Sequence, residues 1–204
     1  MDRQKILDMV GLDTWIISDT HFGHEAIVGF CNRPIRHNVI MEAFWHDLVK
    51  PEDTILHLGD VATWKTKKDE HRDGWLPVLR DLPGQKLLVL GNHDKNGGRY
   101  YKLAGFEEVG MQLGEFVEED VTREGVPYKN TIRNNGFYAD IDGKRILFSH
   151  YPDAWLLDWD INIHGHIHNN PISPKVAALK RDHRNVSVEV MDYRPTRLSA
   201  ILNL

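Results

Sequence analysis

The sequence predicts an α/β fold, because short apolar runs that each stop at polar residues alternate with segments of helical spacing. Trp15, Ile16 and Ile17 form the first run and end at Ser18-Asp19-Thr20-His21, as a buried strand does when it delivers polar groups to a sheet edge. Ile55 to Leu58 ends at Gly59-Asp60, Leu87 to Leu90 at Gly91-Asn92-His93-Asp94, and Ile146 to Phe148 at Ser149-His150. Ile161 to Ile163 reads as a fifth strand and Val186 to Val190 as a late one. Between them, Ile40, Phe44 and Leu48 share one helical face, as do Trp75, Leu76, Leu79 and Leu82. Asp81-Leu82-Pro83-Gly84 breaks the second helix, and Asp142-Gly143 reads as a hairpin turn between Tyr138 to Ile141 and Lys144 to Phe148. Asp192-Tyr193-Arg194-Pro195 turns the chain into a short terminal segment, Thr196 to Leu202. Two polar stretches, Lys65 to Gly74 and Asp120 to Gly136, read as surface loops.

A chain of 204 residues suits one domain, 1–204, with a sizeable core. With 41% hydrophobic and 27% charged residues, the balance is that of a soluble globular protein, and the apolar runs are too short to span a bilayer. Met1 to Val10 lacks the apolar core of a secretion signal, so the expected location is the cytoplasm. Cys31 is the only cysteine, which excludes an internal disulfide and a cysteine metal cluster and leaves oxygen and nitrogen to hold any metal. A net charge of −5 argues against a protein that grips long nucleic acid.

The twelve histidines cluster with Asp, Asn and Gly at the ends of apolar runs, which is where adjacent strands open onto a common edge. In chain order that edge collects Asp19 and His21, Asp60, Asn92 with His93 and Asp94, His150, and His166 and His168 within Gly165-His166-Ile167-His168. A Gly-Asp after a strand is usually a turn, and a lone Asp-x-His carries little information. The order and placement of the whole set carry the signal.

These blocks resemble the calcineurin-like metallophosphoesterase superfamily, with its Asp-x-His, Gly-Asp, Gly-Asn-His-Asp/Glu, His and Gly-His-x-His pattern, all present from Asp19 to His168. The opening Ser18-Asp19-Thr20-His21-Phe22-Gly23-His24 is similar to small bacterial and phage members. The resemblance implies a four-layer αββα sandwich of two mixed sheets flanked by helices, and a metal-dependent phosphoester hydrolase. It puts Asp19, His21 and His168 on one divalent metal, Asn92, His150 and His166 on another, and Asp60 between them. Two nearby dications repel and need such an anionic oxygen. Charge counting fits: an amide and imidazoles in place of further carboxylates leave the loaded site positive toward an anionic phosphoester. The oxygen and nitrogen shell suits manganese or iron, then zinc or nickel, over calcium or magnesium.

The implied mechanism is in-line attack by a metal-bridging hydroxide, with His93 serving the leaving oxygen and Asp94 fixing the orientation of the His93 ring. His24 is a candidate contact for a substrate phosphate, alongside Asn92. His164 reads as a second layer or plain packing, and His57 as a hydrogen-bonded core residue. His37, His46, His71 and His183 read as solvent-facing.

A small phosphomonoester or phosphodiester, nucleotide-like, is the expected substrate. The alternative is a nuclease or RNA-end-processing phosphatase using Lys175, Lys180, Arg181 and Arg184. A scaffold that has lost the chemistry is remote, since no ligand is missing.

Overall fold

The computed structural model describes residues 3–62, 75–94, 98–113, 117–123, 126–132, 134–156 and 158–203. The polar stretch Lys65 to Gly74, with His71, lies outside them.

The first sheet is built from β1 (Trp15–Ile17), β2 (Thr54–His57), β3 (Gln85–Leu88), β4 (Phe106–Glu108) and the late β12 (Thr196–Arg197), in the order β12-β1-β2-β3-β4. All pairs are parallel except β12 with β1. The second sheet takes β5 (Met111–Gln112), β8 (Asn135–Ile141), β9 (Lys144–Ser149), β10 (Ile161–His164) and β11 (Asp182–Asn185), in the order β11-β10-β9-β8-β5. It is parallel across β9, β10 and β11 and antiparallel across β5, β8 and β9.

The first sheet is mixed because the late strand β12 adds antiparallel to its edge, and the second because the β8–β9 hairpin joins an antiparallel half to the parallel strands β9, β10 and β11. The helices are α1 (Arg3–Leu7), α2 (Ile27–Cys31), α3 (His37–Leu48), α4 (Leu76–Asp81), α5 (Gly98–Leu103), α6 (Pro174–Ala177) and α7 (Leu198–Leu202). Asp142 and Gly143 both have positive φ, as the tight turn between β8 and β9 demands.

The strands read as unbroken apolar runs because both faces of each sheet are covered. Ile16, Leu56 and Leu87 point inward to meet Phe137, Ile146, Phe148, Ile161 and Ile163 of the second sheet. Their neighbours Ile17, Ile55 and Leu88 point outward onto Met41 and Trp45 of α3, Leu79 of α4 and Tyr101 of α5. The outer face of the second sheet carries a smaller cluster of Leu113, Leu147 and Trp159. The ammonium of Lys175 in α6 lies 5.0 Å from the Trp155 ring on that side. The result is the α/β arrangement of two mixed sheets flanked by helices, in keeping with a four-layer sandwich.

Four expectations are corrected. Asp120 to Gly136 is not a loop: β6 (Val117–Arg123) and β7 (Val126–Ile132) pair antiparallel as a separate two-stranded sheet, and β8 begins at Asn135. The late strand ends at Asn185, and beyond it Ser187 makes a single bridge to Ser18 before a turn over 188–193. The buried stripe of α3 is His37, Met41 and Trp45, one position off the expected face, which leaves Ile40, Phe44 and Leu48 half-buried. His37 is therefore interior, hydrogen-bonded through Nδ1 to the Pro34 carbonyl, and His183 is half-buried with Nδ1 against Asn162 Oδ1.

His57 is a core residue as expected, and its bonding fixes its tautomer. Gly59 N donates to Nδ1 at 3.1 Å. Thr20 Oγ1 donates to the Val61 carbonyl, so Nε2–H of His57 donates to Thr20 Oγ1 at 2.9 Å. Burial drives the ring down to about 3, the Asp19 carboxylate opposing this. The unfolded chain takes up the proton near the ordinary histidine value of 6.5, so this group's stability is full above pH 6.5 and lost as pH falls toward 3. Metal-free protein is expected to lose stability on the order of a few kcal/mol across that window. In urea titrations His57→Asn protein should show a shallower pH slope; an unchanged slope would contradict the buried neutral ring.

Candidate metal centre

Every candidate donor follows the end of a strand: Asp19 and His21 after β1, Asp60 after β2, Asn92 to Asp94 after β3, His150 after β9, and His166 and His168 after β10. The two sheets meet here. Asn92 Oδ1 lies 2.9 Å from His150 Nε2 and 3.0 Å from His166 Nδ1.

The backbone turns sharply at these positions. Asp19, His21, Asp60, His166 and His168 all hold φ between 47° and 70°, in the left-handed region that costs a residue with a Cβ roughly 1–2 kcal/mol. Asp and His tolerate it better than most, and hydrogen bonds between the strand ends offset the strain. Asp19 N donates to the Gly59 carbonyl at 3.0 Å and His21 N to the Asp60 carbonyl at 2.9 Å. Gly91 and Gly165 allow the close approach, since a Cβ at either would run into the carboxylate of Asp60 or Asp19.

Asp19 and Asp60 are buried. Asp19 Oδ2 accepts from His166 N at 2.8 Å and Ser187 Oγ at 3.1 Å. Its other oxygen, Oδ1, is buried with no hydrogen-bond partner among the described residues, 4.0 Å from His168 Nε2. Asp60 Oδ1 accepts from His93 N at 2.8 Å. Asp60 Oδ2 stands 3.4 Å from His21 Nε2 and 3.5 Å from His150 Nε2.

Without a cation, protons must balance these charges. Burial, with the Asp19 and Asp94 carboxylates, raises Asp60 to about 7 against the pull of His150. Burial also opposes ionisation of Asp19, yet His150, His168 and His21 hold it well below the usual carboxylate range. The His150 ring loses stabilisation of its charge to burial but is raised on balance by Asp60 and Asp19. Burial pushes His166 down to about 3.

The donor atoms of Asp19, His21 and His168 lie within 4.8 Å of one another, and so do those of Asp60, His150 and His166. Oxygen and nitrogen donors, a buried carboxylate oxygen without a partner and two such groups side by side fit divalent cations. A third group, Cys31, His168 and Glu189, is equally close but does not fit. The Arg33 guanidinium already lies 2.7 Å from Glu189, and burial followed by Glu189 raises the Cys31 thiol to about 11.

His93 is exposed at the site, its ring 5.2 Å from that of His21. Asp94 is buried beside it. Its carboxylate accepts from Asp60 N, Gly91 N, Val61 N and the Tyr101 hydroxyl, so it ties the β2 loop to the β3 loop. His24 is half-buried with its ring 5.5 Å from His21. His164 is buried, bonded through Nδ1 to the Gly165 carbonyl, and outside both donor groups. His46 is exposed. Sequence reasoning missed Arg33, Ser187 and Glu189, which touch the donors but stand in no recognisable motif.

The sequence pattern of calcineurin-like phosphoesterases matches residues 12–191. The chain belongs to this family. The calcineurin-like phosphoesterase is 30% identical over 198 residues to an uncharacterised protein of Methanocaldococcus jannaschii, covering 93% of this chain and 89% of that one. It is 29% identical over 205 residues to the gene 66 protein of Mycobacterium phage L5, covering 87% and 86%. Among solved structures it resembles a protein of unknown function from Aquifex aeolicus, with a TM-score of 0.61 and 28% identity over 93% of this chain and 97% of that one. Family and donor groups together make this a metal-dependent phosphoesterase. No helix among the described residues is long and apolar enough to cross a membrane.

Because the Asp94 carboxylate accepts four donors, an amide there would set its NH2 against N–H groups. Asp94→Asn should lower the stability of metal-free protein by about 2–4 kcal/mol, since hydrogen bonds to charged groups contribute about 1.5–3 kcal/mol each. The urea midpoint measures it, and a shift near zero would deny Asp94 the loop-tying role.

Proposed function

We propose that the protein hydrolyses a small phosphomonoester or phosphodiester of nucleotide type, with Asp19, His21 and His168 holding one divalent cation, Asn92, His150 and His166 the other, and Asp60 shared. One observation carries this reading: a single oxygen, Asp60 Oδ2, stands at nearly equal distance from an imidazole of each group. Divalent cations bound there lower the pKa of water and polarise phosphoryl oxygens. The mixed oxygen and nitrogen donor set suits manganese or iron, then zinc or nickel.

The chain's own groups supply the rest. The Asp19 and Asp60 carboxylates anchor the cations, and the Asn92 amide adds a neutral oxygen that leaves the site attractive to an anion. His93, exposed at the site with its backbone N–H on Asp60, serves as proton donor to the leaving oxygen through its ring. His24 and Asn92 contact the phosphoryl group.

The preference for a small substrate is supported by the state of the basic run. Arg181 lies 4.5 Å from the Trp159 ring and donates to the Trp159 carbonyl. Arg184 is paired with Asp182 at 2.8 Å and donates to the Ile201 carbonyl. Guanidinium groups so engaged are poorly placed to neutralise a row of phosphates.

Asp60→Asn should weaken both metals together, whereas His150→Ala should deplete mainly one, as metal analysis will read. Two metals retained at full affinity in Asp60→Asn protein would remove the bridging role. His93→Ala should keep its metals and lose about a hundredfold or more in rate. The loss should be larger for alkyl than for nitrophenyl esters, and equal losses would exclude proton donation. For substrate class, kcat/KM for a small diester should fall little with salt. A strong preference for an oligonucleotide, with a steep salt slope flattened in Lys180→Ala protein, would favour the nucleic-acid enzyme instead.

A further inference from the structure

Behind the donors Asp19 and His168 lies an ion pair removed from water. The side chains of Arg33 and Glu189 are 0% and 2% exposed. Glu189 Oε1 accepts from Arg33 Nε at 2.7 Å and from His168 Nδ1 at 2.9 Å. Arg33 also donates through Nη1 to the Thr20 carbonyl at 2.8 Å and through Nη2 to the Asp19 carbonyl at 2.5 Å. One guanidinium therefore grips the left-handed turn that carries Asp19 and the carboxylate that touches His168.

We propose that Arg33 and Glu189 are positioning residues for the half of the site formed by Asp19, His21 and His168. A carboxylate only accepts, so the proton of a neutral His168 sits on Nδ1 and its lone pair on Nε2. Nε2 is the atom that faces Asp19 Oδ1. Glu189 thereby selects the tautomer that can bind a cation and raises the basicity of the ring, as outer carboxylates do for metal-bound imidazoles. Arg33 keeps Glu189 in place and holds the Asp19 backbone in the same frame, so two donors distant in sequence share one anchor. Nothing comparable among the described contacts reaches the other half, where His150 Nδ1 meets the Leu58 carbonyl instead. The inference rests on the assignment of Asp19, His21 and His168 to one cation.

Removing Glu189 alone would strand a buried guanidinium and threaten folding. The decisive comparison is Arg33→Met/Glu189→Gln against Arg33→Met/Glu189→Leu: both lack the charges, and only the first keeps an acceptor for His168. Manganese(II) titration of the Leu variant should show one site weakened about 10–100-fold relative to the Gln variant, with the other unchanged. In metal-free wild-type protein, 15N shifts of His168 should report a protonated Nδ1, which the Leu variant loses. Equal manganese affinities in the two variants, equal weakening of both sites, or a wild-type His168 protonated on Nε2 alone would overturn the inference. Wild-type protein that binds no manganese, zinc or iron would instead overturn the metal assignment itself, while the nitrogen shifts still report on Glu189.

Discussion

Asp19 and Asp60 lie out of water within one ring of imidazoles, and like charges in such surroundings repel and are costly to desolvate. The surrounding structure answers that cost. Backbone N–H groups of His166 and His93 point at the two carboxylates, and His21 and His150 flank one Asp60 oxygen. Asp94 secures the loop that presents Asp60, at the expense of adding a third carboxylate nearby. Left-handed turns at Asp19, His21, Asp60, His166 and His168 accompany this arrangement, in keeping with backbone strain held at a functional site by the structure around it.

The donors were legible in the sequence because each follows an apolar run, and a run covered on both faces has a distinctive composition. Ile16 and Ile17 face opposite cores, so neither could be polar. The placement of the α3 face failed for a related reason. His37 occupies an interior position with Nδ1 hydrogen-bonded to the Pro34 carbonyl, and counting hydrophobic residues alone shifts the stripe by one. The β6–β7 hairpin escaped notice because its polar sequence lacks the alternation that marks a half-buried strand.

Arg33 and Glu189 were illegible for a different reason. Each is an ordinary charged residue in its local segment, and their meaning arises only when β11 and the following turn dock beside β1. Pairing across 156 residues leaves no local trace. Asp94 was legible as part of a motif, but its ties between the two loops were not, since the motif says that a carboxylate is required and not which N–H groups it receives. The leaving group is unreadable on the same logic: these residues recognise a phosphoryl group, and what is attached to it touches other surfaces.

The contact between Arg33 and Glu189 also bears on the order in which the protein matures. Asp19 and His21 leave the ribosome well before His168 and Glu189. A nascent chain thus exposes acidic and imidazole groups well before it can arrange them, and the frame around Asp19 closes only once the turn after β11 has crossed to β1. Ordering of this half of the centre consequently waits on docking of the segment that follows β11, and a chain truncated before Glu189 would lack the anchor however well its first sheet had formed.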